Sequence, residues 1–133
     1  MRLRRSSGSV QESRKWNRWT NFSVPYRITP TERFKHEAKR LIKKYRSLTS
    51  ELEELSESLK SDPHIGQELG FGLFKIRLAI RSKGKGKSGG ARVVSYVIEE
   101  DKVVHLLTIY DKAELDTISN QVLRELAKEI LRK

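Results

Sequence analysis

The sequence predicts an α+β domain in the order β-α-α-β-β-β-α, with an N-terminal helical hairpin packed on a small antiparallel-rich sheet. Three observations carry this expectation. Apolar residues recur at helical spacing in two successive stretches between residues 31 and 62; the period drops to two from Phe71; and a last helical stretch follows Ser119. At 133 residues the chain is long enough to bury one two-layer core.

Residues 1–22 hold six Lys or Arg, one acid and four serines, without helical or strand period. They read as a basic arm. Either it meets nucleic acid through its charge and through stacking by Trp16 and Trp19, or it is a dispensable extension. "VPYRIT" is a short strand candidate that ends at Pro30. Thr29 and Glu32 stand at capping-box spacing with Pro30 at the first helical position, which predicts a helix start. Phe34, Ala38, Leu41, Ile42 and Tyr45 then form one apolar stripe with cations on the other face. Ser50 and Glu53 predict the cap of a second helix, with Leu52, Leu55 and Leu59 toward the core and "EELSESLK" as solvated face, stopping at "SDP".

From Phe71 onward, Phe74, Ile76, Leu78 and Ile80 alternate with Lys75, Arg77 and Arg81. One face of that strand is core, and the other places Lys75 and Arg77 roughly 7 Å apart on a rigid support. "ARVVSYVIEEDKVVHLLTIY" predicts two further strands around the acidic turn Glu99, Glu100 and Asp101, apolar on both faces as inner strands are. Ser119 caps a last helix carrying Val122, Leu123, Leu126 and Ile130.

The formal charge is +11, and it is localised. Residues 31–46 carry seven basic groups against Glu32 and Glu37, whereas residues 49–62 carry five acids against Lys60. Such a field suits a polyanion held in register. No cysteine is present, which excludes disulfides and thiolate metal sites. No apolar run reaches the length of a membrane helix. His36, His64 and His105 lack ligand spacing, so no metal site is expected; His36 reads as surface, His64 as turn and His105 as packed. Asp111 reads as an exposed turn charge, the alternative being an acid partner beside Lys112.

The stretch "RSKGKGKSGGAR" ends like a phosphate-binding loop, but the required first glycine is Arg81 and the segment leads into a strand rather than a helix. A nucleotide site is therefore rejected. A loop of cations remains: Arg81, Lys83, Lys85, Lys87 and Arg92.

"FKIRLAIRSKGKGKSGGARVVSYV", "KVVHLLTIYDKAE" and "TIS" before the last helix, together with "DPHIGQELGFGLFKIR", resemble the RelE/ParE toxin superfamily, especially RelE- and HigB-like members. The resemblance covers roughly residues 24–131 and implies a RelE-like, microbial-RNase-type domain over 23–133. It implies a bacterial, cytoplasmic toxin of a type II toxin–antitoxin pair that cuts translated messenger RNA in the ribosomal A site. No cofactor or metal is implied: the ribose 2′-OH attacks the adjacent phosphate, and the protein positions RNA and stabilises charge.

Lys75, Arg77, Arg92 and Lys112 match the family's basic active-site positions. In that scheme Arg77 and Arg92 hold the scissile phosphate, Lys75 orients or deprotonates the 2′-OH, and Lys112, an arginine in RelE, protonates the leaving oxygen. Arg81, Lys83, Lys85 and Lys87 are expected to grip messenger or ribosomal RNA. The family's C-terminal active-site tyrosine falls at about Ile118, leaving Tyr110 as the candidate to stack a base. The implied partners are a cognate antitoxin, the ribosome and messenger RNA. A ParE-like gyrase inhibitor and a noncatalytic RNA- or ribosome-binding module are the alternatives.

Overall fold

The computed structural model describes residues 25–84 and 89–132. The expectations placed on the arm 1–22, on Lys85 and on Lys87 lie outside the described residues. The elements are β1 (Arg27–Pro30), α1 (Glu32–Lys44), α2 (Leu48–Ser61), β2 (Gln67–Gly70), β3 (Leu73–Leu78), β4 (Ala91–Ile98), β5 (Val103–Asp111) and α3 (Asn120–Leu131). A 3-10 turn, Arg81–Lys83, lies between β3 and β4.

The class is α+β, with β2 as an addition to the expected order. The sheet runs β1-β5-β4-β3-β2; β1 is parallel to β5, and the remaining neighbours are antiparallel. β3, β4 and β5 are thus inner strands with apolar residues on both faces, as their composition requires.

Each face of the sheet has its own core. Phe34, Ala38 and Leu41 of α1 and Leu48, Leu55 and Leu59 of α2 pack on Phe74, Ile76, Val93, Val97, Val104 and Ile109. Leu123 and Ala127 of α3 pack on Leu73, Val94 and Leu107. Leu41, Leu48 and Leu59 are fully enclosed, and truncating one to alanine costs about 2 to 5 kcal/mol. Val122, expected with the α3 stripe, is instead exposed. His105, half-buried, stacks on Tyr96 at 6.4 Å, and its pKa is lowered by burial and then by Arg27.

Two of the three expected helix N-caps shift. The first helix is capped by Thr31, not Thr29: its hydroxyl accepts from Phe34 N at 3.1 Å and shares its one proton between the Leu106 and Leu107 carbonyls, at 3.0 and 3.1 Å. Pro30 belongs to β1, opposite Leu106. The second helix begins after Ser47 rather than Ser50, so Glu51 falls on the buried side. Its carboxylate accepts from Arg81 N at 2.6 Å and from the Ser47 hydroxyl at 3.2 Å. The Ser119 cap stands as expected, accepting from Val122 N.

The β2–β3 hairpin turns through Phe71 and Gly72 between the paired residues Gly70 and Leu73. Both central residues have positive φ, +57° and +80°, the pattern of a type I′ turn, where Asn-Gly or Asp-Gly belongs. A phenylalanine in the left-handed region costs roughly 1 to 2 kcal/mol. Phe71 is 72% exposed, so core packing returns little of that.

Candidate active site

β3 alternates Leu73, Lys75 and Arg77 onto the face that carries α3, because Leu73 packs under that helix while Phe74 and Ile76 face the other core. The register then sets Arg77 directly opposite Arg92 and Arg92 directly opposite Tyr110. Side chains so paired have Cβ atoms roughly 5 Å apart, and like charges there repel. An anion entering between the two arginines would relieve that repulsion.

A groove of about 710 Å³ collects this row. Lys75, Arg77, Arg92 and Lys112 all line it, with Gly66, Gln67 and Asp116. The four cations expected to form the site therefore converge from β3, β4 and the segment after β5. Gln67 sits beside Lys75 by direct pairing of β2 with β3. Arg92 is only 7% exposed, its Nη1 donating to the Ala91 carbonyl at 3.1 Å.

Asp116 is the groove residue that sequence reasoning missed. Its carboxylate accepts from the Lys112 ammonium, which also donates to the Asp116 carbonyl at 3.1 Å. The hydrogen bond and charge of Lys112, followed by Lys75 and Arg92, lower the Asp116 pKa. Its sequence signal was the four-residue spacing from Lys112 within one loop. That loop is tethered to α1, where Arg40 at 2.8 Å and Lys44 at 3.0 Å donate to Glu114 and lower its pKa.

Beneath the groove, on the opposite side of the sheet, lies a buried ion cluster. Asp111, expected at the surface, is fully enclosed. It accepts from Lys83 Nζ at 2.5 Å, Tyr45 Oη at 2.6 Å and Ala113 N at 2.9 Å. Burial pushes its pKa up, but the hydrogen bonds from Lys83, Tyr45 and Ala113 outweigh this and hold it at about 2. Lys83 also donates to the Gly89 carbonyl at 2.8 Å, and its side chain is 10% exposed.

Of the other expected RNA contacts, Arg81 and Lys83 turn away from the groove. Arg81 does not continue the β3 face: the strand ends at Leu78, and the 3-10 turn swings its guanidinium to Glu51 and Glu54 at 3.5 Å. Lys83 is spent on Asp111. Ser82 N donates to Ser47 Oγ at 2.9 Å, so the described start of the basic loop is docked on α2. Tyr110 lies in the row beside Arg92 but is buried, and Ile118 packs against the α3 core. Among the described residues no three His, Asp or Glu side chains converge as a metal site, and no helix is long and apolar enough to cross a membrane.

No protein-family model matches the chain. Among solved structures it is similar to a doubly substituted E. coli toxin RelE in the free state, at 23% identity and a TM-score of 0.54, covering 80% of this chain and 99% of that one. That likeness establishes a RelE-like fold. Two looser similarities are to the RelBE2 toxin–antitoxin complex of Mycobacterium tuberculosis, at 20% identity, TM-score 0.48 and coverage of 68% and 94%, and to isolated E. coli RelE, at 24%, 0.43, and 79% and 98%.

Proposed function

We propose that this chain is the toxin of a type II toxin–antitoxin pair, a RelE/ParE-superfamily endoribonuclease that cuts translated messenger RNA in the ribosomal A site without a metal ion. The observation that carries this reading is the convergence of Lys75, Arg77, Arg92 and Lys112 on one groove of a RelE-like fold.

The chemistry follows from where those charges stand. A phosphodiester entering the groove meets the Arg77–Arg92 pair, which offers planar, charge-assisted hydrogen bonds to its oxygens and strengthens as negative charge builds on the phosphorane. Lys75, one alternation along β3, orients the ribose 2′-OH or takes its proton. The 2′-oxygen forms a bond to phosphorus as the bond to the 5′-oxygen breaks, leaving a 2′,3′-cyclic phosphate. Lys112 supplies the proton to the departing oxygen. For this the RNA phosphate replaces the Asp116 carboxylate as the ammonium's anionic neighbour.

The antitoxin in this reading covers basic surface with an acidic or apolar segment, so pairing weakens with salt. A second reading, RNA or ribosome binding without cleavage, is favoured by the position of Ile118 and by burial of Tyr110. Neither leaves a phenol exposed in the groove.

The test is to induce the chain in bacteria and map messenger RNA 5′ ends beside an Arg77→Ala, Arg92→Ala variant. Cuts at fixed codon positions in translated messages, absent with the variant, are expected. Growth arrest without cuts would overturn the nuclease and leave the gyrase inhibitor or the binding module.

A further inference from the structure

We infer that Phe71 is a base-stacking subsite for single-stranded RNA flanking the phosphate held in the groove. This rests on the nucleic-acid reading of the groove and names a contact beyond its catalytic cations.

The first observation is conformational. Phe71 occupies a left-handed turn position, φ +57°, between Gly70 and Gly72, where glycine, asparagine or aspartate would sit with less strain. Residues held in such conformations cluster at ligand-binding positions. The ring enters neither hydrophobic core and the residue is 72% exposed, so core packing does not account for it.

The second observation is what accompanies the ring. The Arg124 guanidinium of α3 lies 4.8 Å from its centroid. The pair presents an aromatic surface and a cation together, the combination that binds single-stranded nucleic acid without reading sequence.

The third is continuity with the groove. Gln67 and Lys75, paired across β2 and β3, line the groove at one end of the hairpin, and Phe71 forms its tip. Three residues, Gly72, Leu73 and Phe74, separate Lys75 from Phe71, at most about 13 Å of chain. Leu69, between Gln67 and Phe71, packs toward the α3 core, while Glu68, paired with Phe74, lies on the other face of the hairpin with His64 and Glu99. The side running from the groove to Phe71 and Arg124 therefore avoids those acids. A strand leaving the Arg77–Arg92 pair along this hairpin brings a flanking base to the ring.

The experiment measures binding of a 5′-labelled, 2′-O-methyl oligoribonucleotide, which resists cleavage, to the full chain by fluorescence anisotropy. An abasic site is walked along the oligonucleotide. With the unmodified chain one position is expected to weaken binding about tenfold to a hundredfold. Phe71→Gly should bind the intact oligonucleotide equally weakly and lose nothing further at that abasic position, while Phe71→Trp keeps the effect. Tm of Phe71→Gly should be unchanged or higher, since glycine suits the turn.

Intact affinity in Phe71→Gly, with binding still abolished by Arg77→Ala, Arg92→Ala, would overturn the subsite and leave the groove standing. No binding by the unmodified chain would overturn the subsite, while the cleavage test above decides the groove. Unchanged RNA binding with lost pairing to a co-expressed antitoxin would reassign the ring to a protein interface.

Discussion

Asp111→Asn removes the charge at the centre of the cluster beneath the groove while keeping the side chain's size. The ammonium of Lys83, 10% exposed, then loses its counter-ion. Breaking one partner of a buried pair costs about 3 to 5 kcal/mol, because the remaining charge stays desolvated. The titration gives a second figure. A carboxyl held at about 2 instead of its ordinary 3.8 contributes roughly 2 to 3 kcal/mol at neutral pH. Because the folded pKa is depressed, that stability is fully present above the unfolded value, 3.8, and is lost as pH falls through it toward 2. Urea unfolding of both proteins at pH 7 and across pH 4 to 2 measures the two quantities. The variant should be less stable at pH 7, and its stability should fall less steeply below pH 4 than the parent's. A cost under about 1 kcal/mol at pH 7, or parallel losses below pH 4, would refute the buried pair. Replacing both partners, Asp111→Leu with Lys83→Met, should recover part of the loss, since no charge is then stranded.

Gly90→Ala places a Cβ 2.1 Å from the Leu78 carbonyl, a backbone atom that cannot swing aside; a loss of about 1 to 3 kcal/mol in urea unfolding is expected. Because Gly90 O accepts from Lys112 N at 3.0 Å, cleavage should fall more than stability alone explains; unchanged activity would detach Lys112 from the site. Asp116→Asn takes the one carboxylate out of the groove lining and should tighten binding of a 2′-O-methyl oligoribonucleotide by up to about fivefold, measured by anisotropy. Weaker binding would mean that Asp116 holds Lys112 in place instead of competing with phosphate.

The β3 alternation was legible because a period of two needs only neighbours along one strand, and it placed Lys75 and Arg77 together. Bringing Arg92 and Lys112 to them required register across three segments, which the family resemblance supplied and periodicity did not. The caps were misread for a long-range reason. A Thr-Pro-Thr-Glu run fits a capping box from Thr29, but Thr31 gains two carbonyls from β5, some 75 residues away, and Pro30 is drawn into β1. Asp111 looked like a surface acid because its partners, Tyr45 and Lys83, lie on other elements.

The same partners decide what the charge of +11 means. Counting along the chain makes the loop from Arg81 to Arg92 one uniform cationic strip. The fold divides it: Arg81 meets Glu51 and Glu54, Lys83 meets Asp111, and on α1 Arg40 and Lys44 meet Glu114. These cations hold the basic turn and the loop after β5 against the two N-terminal helices. In the groove the balance differs, with four cations and a single carboxylate, Asp116, whose side chain is 88% exposed. An exposed carboxylate gives up an ammonium at little cost, whereas Asp111 cannot. The placement of acids therefore leaves the groove lining with net positive charge, above a cluster whose own charges are paired.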